Sequence, residues 1–329
     1  MTGQTDHAVV ITGYERAELL AEPRDPTPLA PDEVAGATLA TLISAGTELA
    51  GSYRGAEFPR RPGYAAVFRV EEVGEAVADL GAGDLVLCMG RHQSYQRHPR
   101  ARVVPVPQGL SPEEATFARM MGVSMSTLTT TTARPPERVM VTGLGLVGHL
   151  AAQIFRSCGY QVLGVDPSEA RRDLARERGI ADLAPAVPVD DPQVVDHVAL
   201  ALECSGHEGA ALDACRVVRK RGEVVLVGAP WERRTERYAH EFTHLIFHRY
   251  VVLRSGWEWE VPLFPTDFCT NSIYGNLAAA LAWLAEGRVR VEGLYMRVAP
   301  REAQQAYQDL LHMRVPRLGV VLDWTTLGG

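Results

Sequence analysis

The chain has 329 residues, 46% of them apolar and 22% charged, a composition with room for two globular domains that excludes a disordered, collagenous or coiled-coil protein. Net charge is 33 − 40 = −7 with no block of like charge, so the electrostatic footprint of a nucleic-acid binder is missing. Five cysteines, Cys88, Cys158, Cys204, Cys215 and Cys269, form no C-x-x-C pair, which argues against a disulfide framework and for thiols kept reduced.

The first residues, MTGQTDHAVV, lack the basic and apolar regions of a signal peptide. No apolar run reaches the ~18 residues of a membrane span, so a cytoplasmic chain without a membrane partner is expected. Short β-type runs follow, AVVIT, AGATLATLIS, AVFRVEEVG, DLVLCM and ARVVPVP, separated by turn-forming clusters such as GAGD and VPQG. This texture predicts a mostly antiparallel β domain to about residue 119. Ser111-Pro112-Glu113-Glu114 carries a helix start, and beyond it strands and helices alternate.

Strands are predicted at 138–143, 160–166, 198–206 and 222–229, with helices at 146–158, 168–178 and 209–219 between them. Apolar runs without alternation, each followed by an amphipathic segment, predict a parallel sheet covered on both faces. A last strand, RYVVLRSGW, closes that unit near 257. Helices at 275–286 and 300–312 and a strand at 317–324 are expected to return to the first domain. The predicted domains are therefore 1–119 with 261–329, and 120–260.

In VMVTGLGLVGHLAAQIF the glycines Gly143, Gly145 and Gly148 form G-x-G-x-x-G between a strand and a helix. The first allows a tight turn, the second lets backbone approach a pyrophosphate, and the third lets helix and strand pack closely, with Leu146 and Val147 opening the helix toward the phosphates. The next strand ends in Asp166, 18 residues past Gly148, close to the ~20 at which an acid accepts the ribose hydroxyls. An acid there repels a 2′-phosphate and favours NAD over NADP. Arg171, a few residues on beside Arg172, is the residue that would soften this preference unless both are surface arginines, and Ser205 at the end of a later strand completes the predicted cofactor contacts.

Taken together, LISAGTEL, RPGYAAVFRVEEVG, GAGDLVL, GLSPEEA, the glycine motif, ALECSGHEGAALDAC and RGEVVLVG resemble, in order and spacing, the medium-chain dehydrogenase/reductases. These are alcohol-dehydrogenase-like enzymes with a GroES-like catalytic domain and a doubly wound Rossmann domain. The resemblance covers nearly all of residues 8–324. It implies an α/β fold of that kind, nicotinamide-dependent hydride transfer on a small to medium metabolite, and a homodimer paired through the strand near 250–257. The S-A-G-T-E segment followed by Arg91-His92-Gln93-Ser94-Tyr95 resembles a branch that includes bacteriochlorophyllide dehydrogenase-like and other specialised-metabolism enzymes.

The departures bear on mechanism. Zinc-dependent members carry C-G-T-D where this chain has Ala45-Gly46-Thr47-Glu48, and G-H-E where it has Gly63-Tyr64-Ala65; the third ligand position falls at about Arg119. The lobe of four cysteines that binds structural zinc is absent too. A tyrosine and an arginine do not replace an imidazole and a thiolate, so a zinc-independent member is expected. Charge developing on the substrate then needs protic groups. The candidates are Thr47, where relatives place the hydroxyl that hands on a proton, Tyr64 in the lost histidine's place, and Glu48, His92, Tyr95 and Arg119; the alternatives are Tyr64 filling the lost metal's volume, Glu48 bonding neighbouring backbone or Arg119, and His92 and Tyr95 as ordinary loop residues.

Two other readings compete. His240-Glu241-Phe242-Thr243-His244 is H-E-x-x-H, with His248 one turn further, the pattern by which a helix presents two histidines to zinc in metallopeptidases. No further ligand follows at a matching spacing, and a histidine-rich surface helix is the simpler account. A nucleotide-binding relative that lost catalysis with its zinc is the other alternative. The threonine run ending at Thr132 is expected to line the domain junction near the nicotinamide, with no mechanistic role read for it.

Overall fold

A computed structural model describes residues 4–328. The chain forms two compact units, one within Met1–Arg119, Leu277–Ala285 and Val291–Gly329, the other comprising Met120–Asn276 and Glu286–Arg290. Residues 261–276, expected with the first unit, thus group with the second.

The first unit opens with a hairpin, β1 (Thr5–Gly13) against β2 (Arg16–Pro23). Strands β3 (Glu33–Leu42), β4 (Ala66–Val73), β5 (Leu85–Cys88), β6 (Tyr95–Pro99) and β7 (Val103–Pro105) follow. Between β3 and β4 lie the short helix α1 (Ala45–Glu48) and a π turn over Leu49–Tyr53. After β7 come α2 (Pro112–Ala115) and α3 (Phe117–Thr130), which belongs to the second unit from Met120 on. Ser111 caps α2: its hydroxyl accepts from the Glu114 N–H at 3.3 Å and donates to the Glu114 carboxylate at 2.8 Å, the reciprocal cap that S-P-E-E encodes.

The second unit is a parallel sheet. Its strands are β8 (Arg138–Thr142), β9 (Gln161–Val165), β10 (Asp182–Ala184), β11 (Val198–Glu203), β12 (Val218–Leu226) and β13 (Val252–Ser255), in the order β10-β9-β8-β11-β12-β13. Helices α4 (Leu146–Ser157), α5 (Glu169–Glu177), α6 (Glu208–Val217) and α7 (Ala239–Arg249) connect them. The winding reverses between β8 and β11, the doubly wound order in which dinucleotides bind at the carboxyl ends of the strands. Every residue of β11 is buried, as a strand covered on both faces requires.

Helix α8 (Ile273–Ala285) leads back to β14 (Tyr295–Val298), α9 (Ala303–Leu311) and β15 (Gly319–Asp323). The first unit's large sheet runs β14-β15-β3-β4-β5-β7, with β6 paired to β3. All its pairings are antiparallel except β14 with β15. One core joins Ile11, Ile43 and Tyr53 to Tyr307, Leu322 and Trp324, so the returning segment is integral to this unit. The architecture is a GroES-like antiparallel domain plus a Rossmann domain. No helix among the described residues is long and apolar enough to cross a membrane.

Candidate functional site

In the second unit, β8 ends one residue before Gly143, whose φ of +82° turns the chain into the start of α4. A Cβ on Gly148 would lie 1.8 Å from the Gly143 carbonyl oxygen, so only glycine lets α4 pack this close to its own turn. A Cβ on Gly145 would meet nothing within 4 Å. Leu146 and Val147 begin the helix, half-buried, and the N–H groups of such a first turn have no partner within the helix. An open, electropositive helix end therefore stands at the sheet's switch point.

Asp166 follows β9 and is buried. Its Oδ2 accepts the Leu144 N–H at 2.8 Å and its Oδ1 the Ser168 N–H at 2.8 Å. Arg171 Nη1 stands 3.4 Å from Oδ2, and Arg172 Nη1 donates to the Asp166 carbonyl at 2.6 Å. The carboxylate thus ties the second strand's end to the glycine turn. Ser205 lies against Gly143, with its Cβ 2.8 Å from where a Cβ would stand on that glycine. Its hydroxyl donates to the buried Glu203 carboxylate, which also accepts the N–H groups of Ser205 and Gly206 at 2.8 and 2.9 Å. Burial pushes the Glu203 carboxyl up, against these hydrogen bonds. Glu203 was not among the sequence candidates; its signal was an acid closing the apolar run VALAL.

In the first unit, Tyr64 donates to the Ser44 hydroxyl, and its phenol oxygen lies 3.4 Å from Thr47 Oγ1. Thr47 is exposed, whereas Ser44 is buried. The Arg119 guanidinium stands 4.8 Å from the centre of the Tyr64 ring, a cation–π distance. Burial raises the Tyr64 phenol above its ordinary value, although the Ser44 and Thr47 hydroxyls pull the other way. Gly63 turns Tyr64 into this position with a φ of +98°, and a Cβ there would lie 2.6 Å from the His92 nitrogen, so glycine is required by both conformation and space.

Behind the hydroxyl group lies a sealed network. Glu48 Oε1 accepts the Ser44 N–H at 2.9 Å; Oε2 accepts the Tyr307 hydroxyl at 2.5 Å and lies 3.0 Å from His92 Nε2. His92 Nδ1 lies 2.8 Å from Thr41 Oγ1, which accepts the Trp324 Nε1–H at 2.9 Å. Donors and acceptors balance when His92 carries its proton on Nε2 and the Thr41 hydroxyl donates to Nδ1. Glu48 and His92, expected among the protic candidates, are corrected here: at 2% and 0% exposure they brace Ser44 from inside, and Glu48 takes its alternative reading, a bond to neighbouring backbone. Tyr95 is corrected too, since its ring lies under the Arg24 guanidinium at 3.6 Å.

Tyr307 and Trp324 carry no sequence signal because their partners lie more than 250 residues away along the chain, and Ser44 matters only through the network they complete. The threonine run also finds its role here. Thr131 and Thr132 hydroxyls and the Thr132 N–H all donate to the Glu223 carboxylate, which Arg254 Nη2 also bonds at 3.0 Å. The run thus anchors the end of α3 to β12 and the edge strand β13. His240, His244 and His248 lie on the exposed face of α7, and the Glu241 carboxylate pairs with Arg216 at 3.1 Å.

A GroES-like sheet followed by a Rossmann unit with an intact glycine turn defines the class of NAD(P)-dependent oxidoreductases. Residues 147–258 match the family model of zinc-binding dehydrogenases. An alcohol dehydrogenase of Geobacillus stearothermophilus is 30% identical over 278 residues, 71% of this chain and 75% of that enzyme. A sorbitol dehydrogenase of Halalkalibacterium halodurans is 28% identical over 165 residues, 45% of this chain and 48% of the relative. Galactitol-1-phosphate dehydrogenase from Escherichia coli has the same fold, with TM-score 0.80 at 19% identity over 96% of this chain and 99% of its own. So has acetophenone reductase from Geotrichum candidum, solved with NAD, at TM-score 0.77 and 15% identity over 98% of each chain. The chain belongs to the medium-chain dehydrogenase/reductase superfamily and is an enzyme of that NAD(P)-dependent class. The span matched by the family model contains none of Ala45, Tyr64 and Arg119.

Proposed function

We propose a zinc-independent, NAD(H)-dependent oxidoreductase that exchanges a hydride with a carbonyl, alcohol, imine or amine carbon of a small to medium metabolite, with Tyr64 moving the accompanying proton. The carrying observation is the Tyr64 phenol bonded to Ser44 and near Thr47, with the Arg119 guanidinium against its ring. When bound, the nicotinamide supplies or accepts the hydride. In reduction, Tyr64 gives its proton to the substrate oxygen. The guanidinium and the two hydroxyls stabilise the phenolate left behind, and exposed Thr47 offers a route for reprotonation from solvent. The raised phenol keeps its proton at neutral pH, as a donor must.

Zinc does not fit the three positions that the family resemblance marks for its ligands. Ala45 offers a methyl, Tyr64 is engaged with Ser44, and Arg119 brings a fixed positive charge to the Tyr64 ring. The dinucleotide fits better: the open space at Gly145 suits a pyrophosphate, and the Asp166 carboxylate disfavours a 2′-phosphate. A homodimer belongs to the same proposal, because β13 pairs only with β12 in the described sheet and carries the exposed Val252 at its edge.

The test is a panel of aldehydes, ketones, alcohols and imines screened for NADH consumption or production after dialysis against a chelator. Full turnover without zinc, and at least about tenfold loss in Tyr64→Phe, are expected. Turnover restored only by zinc, or unchanged in Tyr64→Phe, overturns the reading. Asp166→Ser should relax the preference for NADH over NADPH in a fluorescence titration, and light scattering should give twice the chain mass.

A further inference from the structure

We propose that the outer face of α7 holds a borderline divalent transition-metal ion, of the Zn²⁺, Ni²⁺ or Cu²⁺ class, chelated by His244 and His248. This site is separate from the oxidoreductase chemistry and does not depend on it. His240, His244 and His248 recur every fourth residue, so their side chains rise along one stripe of the helix. All three are exposed. No hydrogen bond ties their ring nitrogens to another described residue, and their neighbours among the described residues are aromatic rings: the ring centres lie 6.3 Å apart for His240 and His244 but 4.4 Å for His244 and His248. The tighter pair is the chelate, and Phe247, edge-on to His248 at 5.1 Å, steadies the second ring.

The helix beneath is already fixed. Phe242 and Leu245 pack against the second unit's core. Arg216 Nη2 holds the Glu241 carboxylate at 3.1 Å, and Arg249 Nη2 reaches Asp196 at 2.6 Å and the Val218 carbonyl at 2.7 Å. Ordering entropy is therefore spent on folding and not on binding, which favours a two-ligand site. Two neutral imidazoles select borderline metals over Mg²⁺ or Ca²⁺, which want oxygen. Among the described residues no group of three or more histidine, cysteine or acidic side chains is placed to hold a metal. The ion thus keeps water in its remaining positions. Glu241, bonded to Arg216, does not act as a base there, so the site binds without being a peptidase.

The experiment is calorimetric titration of the full-length, chelator-treated protein with NiCl₂ and ZnCl₂, with MgCl₂ as control. A single ion per chain is expected in the wild type and in His240→Ala. His244→Ala and His248→Ala should each lose about tenfold or more in affinity, at least the cost of removing a mere outer-sphere partner. Because the three side chains are exposed, the metal-free variants should melt with the wild type, and His248→Gln provides a second, shape-preserving loss of the ligand. Wild-type affinity no better than that of His244→Ala, or a loss in His240→Ala as large as in His248→Ala, overturns the assignment.

Discussion

The His92 Nε2 lies 3.0 Å from the Glu48 carboxylate with both side chains closed off from solvent, and through the Ser44 N–H that carboxylate sets the hydroxyl to which Tyr64 donates. Removing one partner of such a buried pair leaves the other's polar groups without compensation, at a cost of about 1–3 kcal/mol. His92→Ala and Glu48→Ala should each lower the unfolding free energy, read from urea denaturation, by that much. Because the two residues share one network, the double variant should fall short of the sum of the single losses. Additive losses would show that the two do not act as a pair.

Tyr64 gives a pH signature. Its phenol is raised from 10.0, chiefly by burial, and a proton donor works only while protonated. Reduction of an identified carbonyl substrate should therefore hold its rate through neutral pH and fall only above 10.0, the phenol's ordinary value. In Tyr64→Phe that basic limb should vanish together with most of kcat. A wild-type limb set well below 10.0 would assign the proton to another group.

The second unit carries a titratable group of the opposite kind. His149, on α4 with both ring nitrogens unpartnered, is lowered from 6.5 to about 4 by burial and by the nearby Arg178. Its folded value lies below its unfolded one, so the unfolded chain takes up the proton first as pH falls. The stability is whole above the unfolded value of 6.5 and is lost progressively toward about 4. At pH 5 the loss amounts to about 2 kcal/mol. His149→Leu should therefore melt higher than the wild type at pH 5, with an advantage that shrinks by pH 8. An equal gap at both pH values would mean that packing alone, and not the proton, sets it.

What was legible in the sequence follows the range of the interactions. The glycine turn, Asp166 and the Ser111 cap depend on neighbours within a few residues or one strand–helix repeat, so spacing alone reveals them. β2 and β6 have no such local signal: RAELLAEP shows no clean alternation, and YQRHP is polar and ends in proline, so each is a strand only because β1 or β3 lies beside it. The bracing of Ser44 was illegible for the same reason, since Tyr307 and Trp324 reach Glu48 and Thr41 across more than 250 residues of chain. Glu48 and His92 stand out in the sequence by residue type, but whether they meet substrate or core is decided by partners more than forty residues away, which no local pattern encodes.

The two glycines of the nucleotide turn separate folding from binding. At Gly148 a methyl group would lie 1.8 Å from the Gly143 carbonyl oxygen. The clash is with backbone, so Gly148→Ala must shift α4 and should lower the melting temperature of the second unit whether or not cofactor is present. At Gly145 the methyl would meet nothing within 4 Å, and the backbone φ of −67° is one that alanine adopts freely. Gly145→Ala should consequently melt with the wild type in the absence of cofactor. If pyrophosphate occupies that space, the same methyl group must push it away from the helix N-terminus and weaken NADH binding, by about tenfold for the ~1.4 kcal/mol of a lost charge-assisted hydrogen bond. Fluorescence titration with NADH and a cofactor-free thermal melt on the two variants check both halves. Unimpaired NADH binding in Gly145→Ala would mean that the phosphates lie elsewhere, and an unchanged melt in Gly148→Ala would contradict the contact between helix and turn.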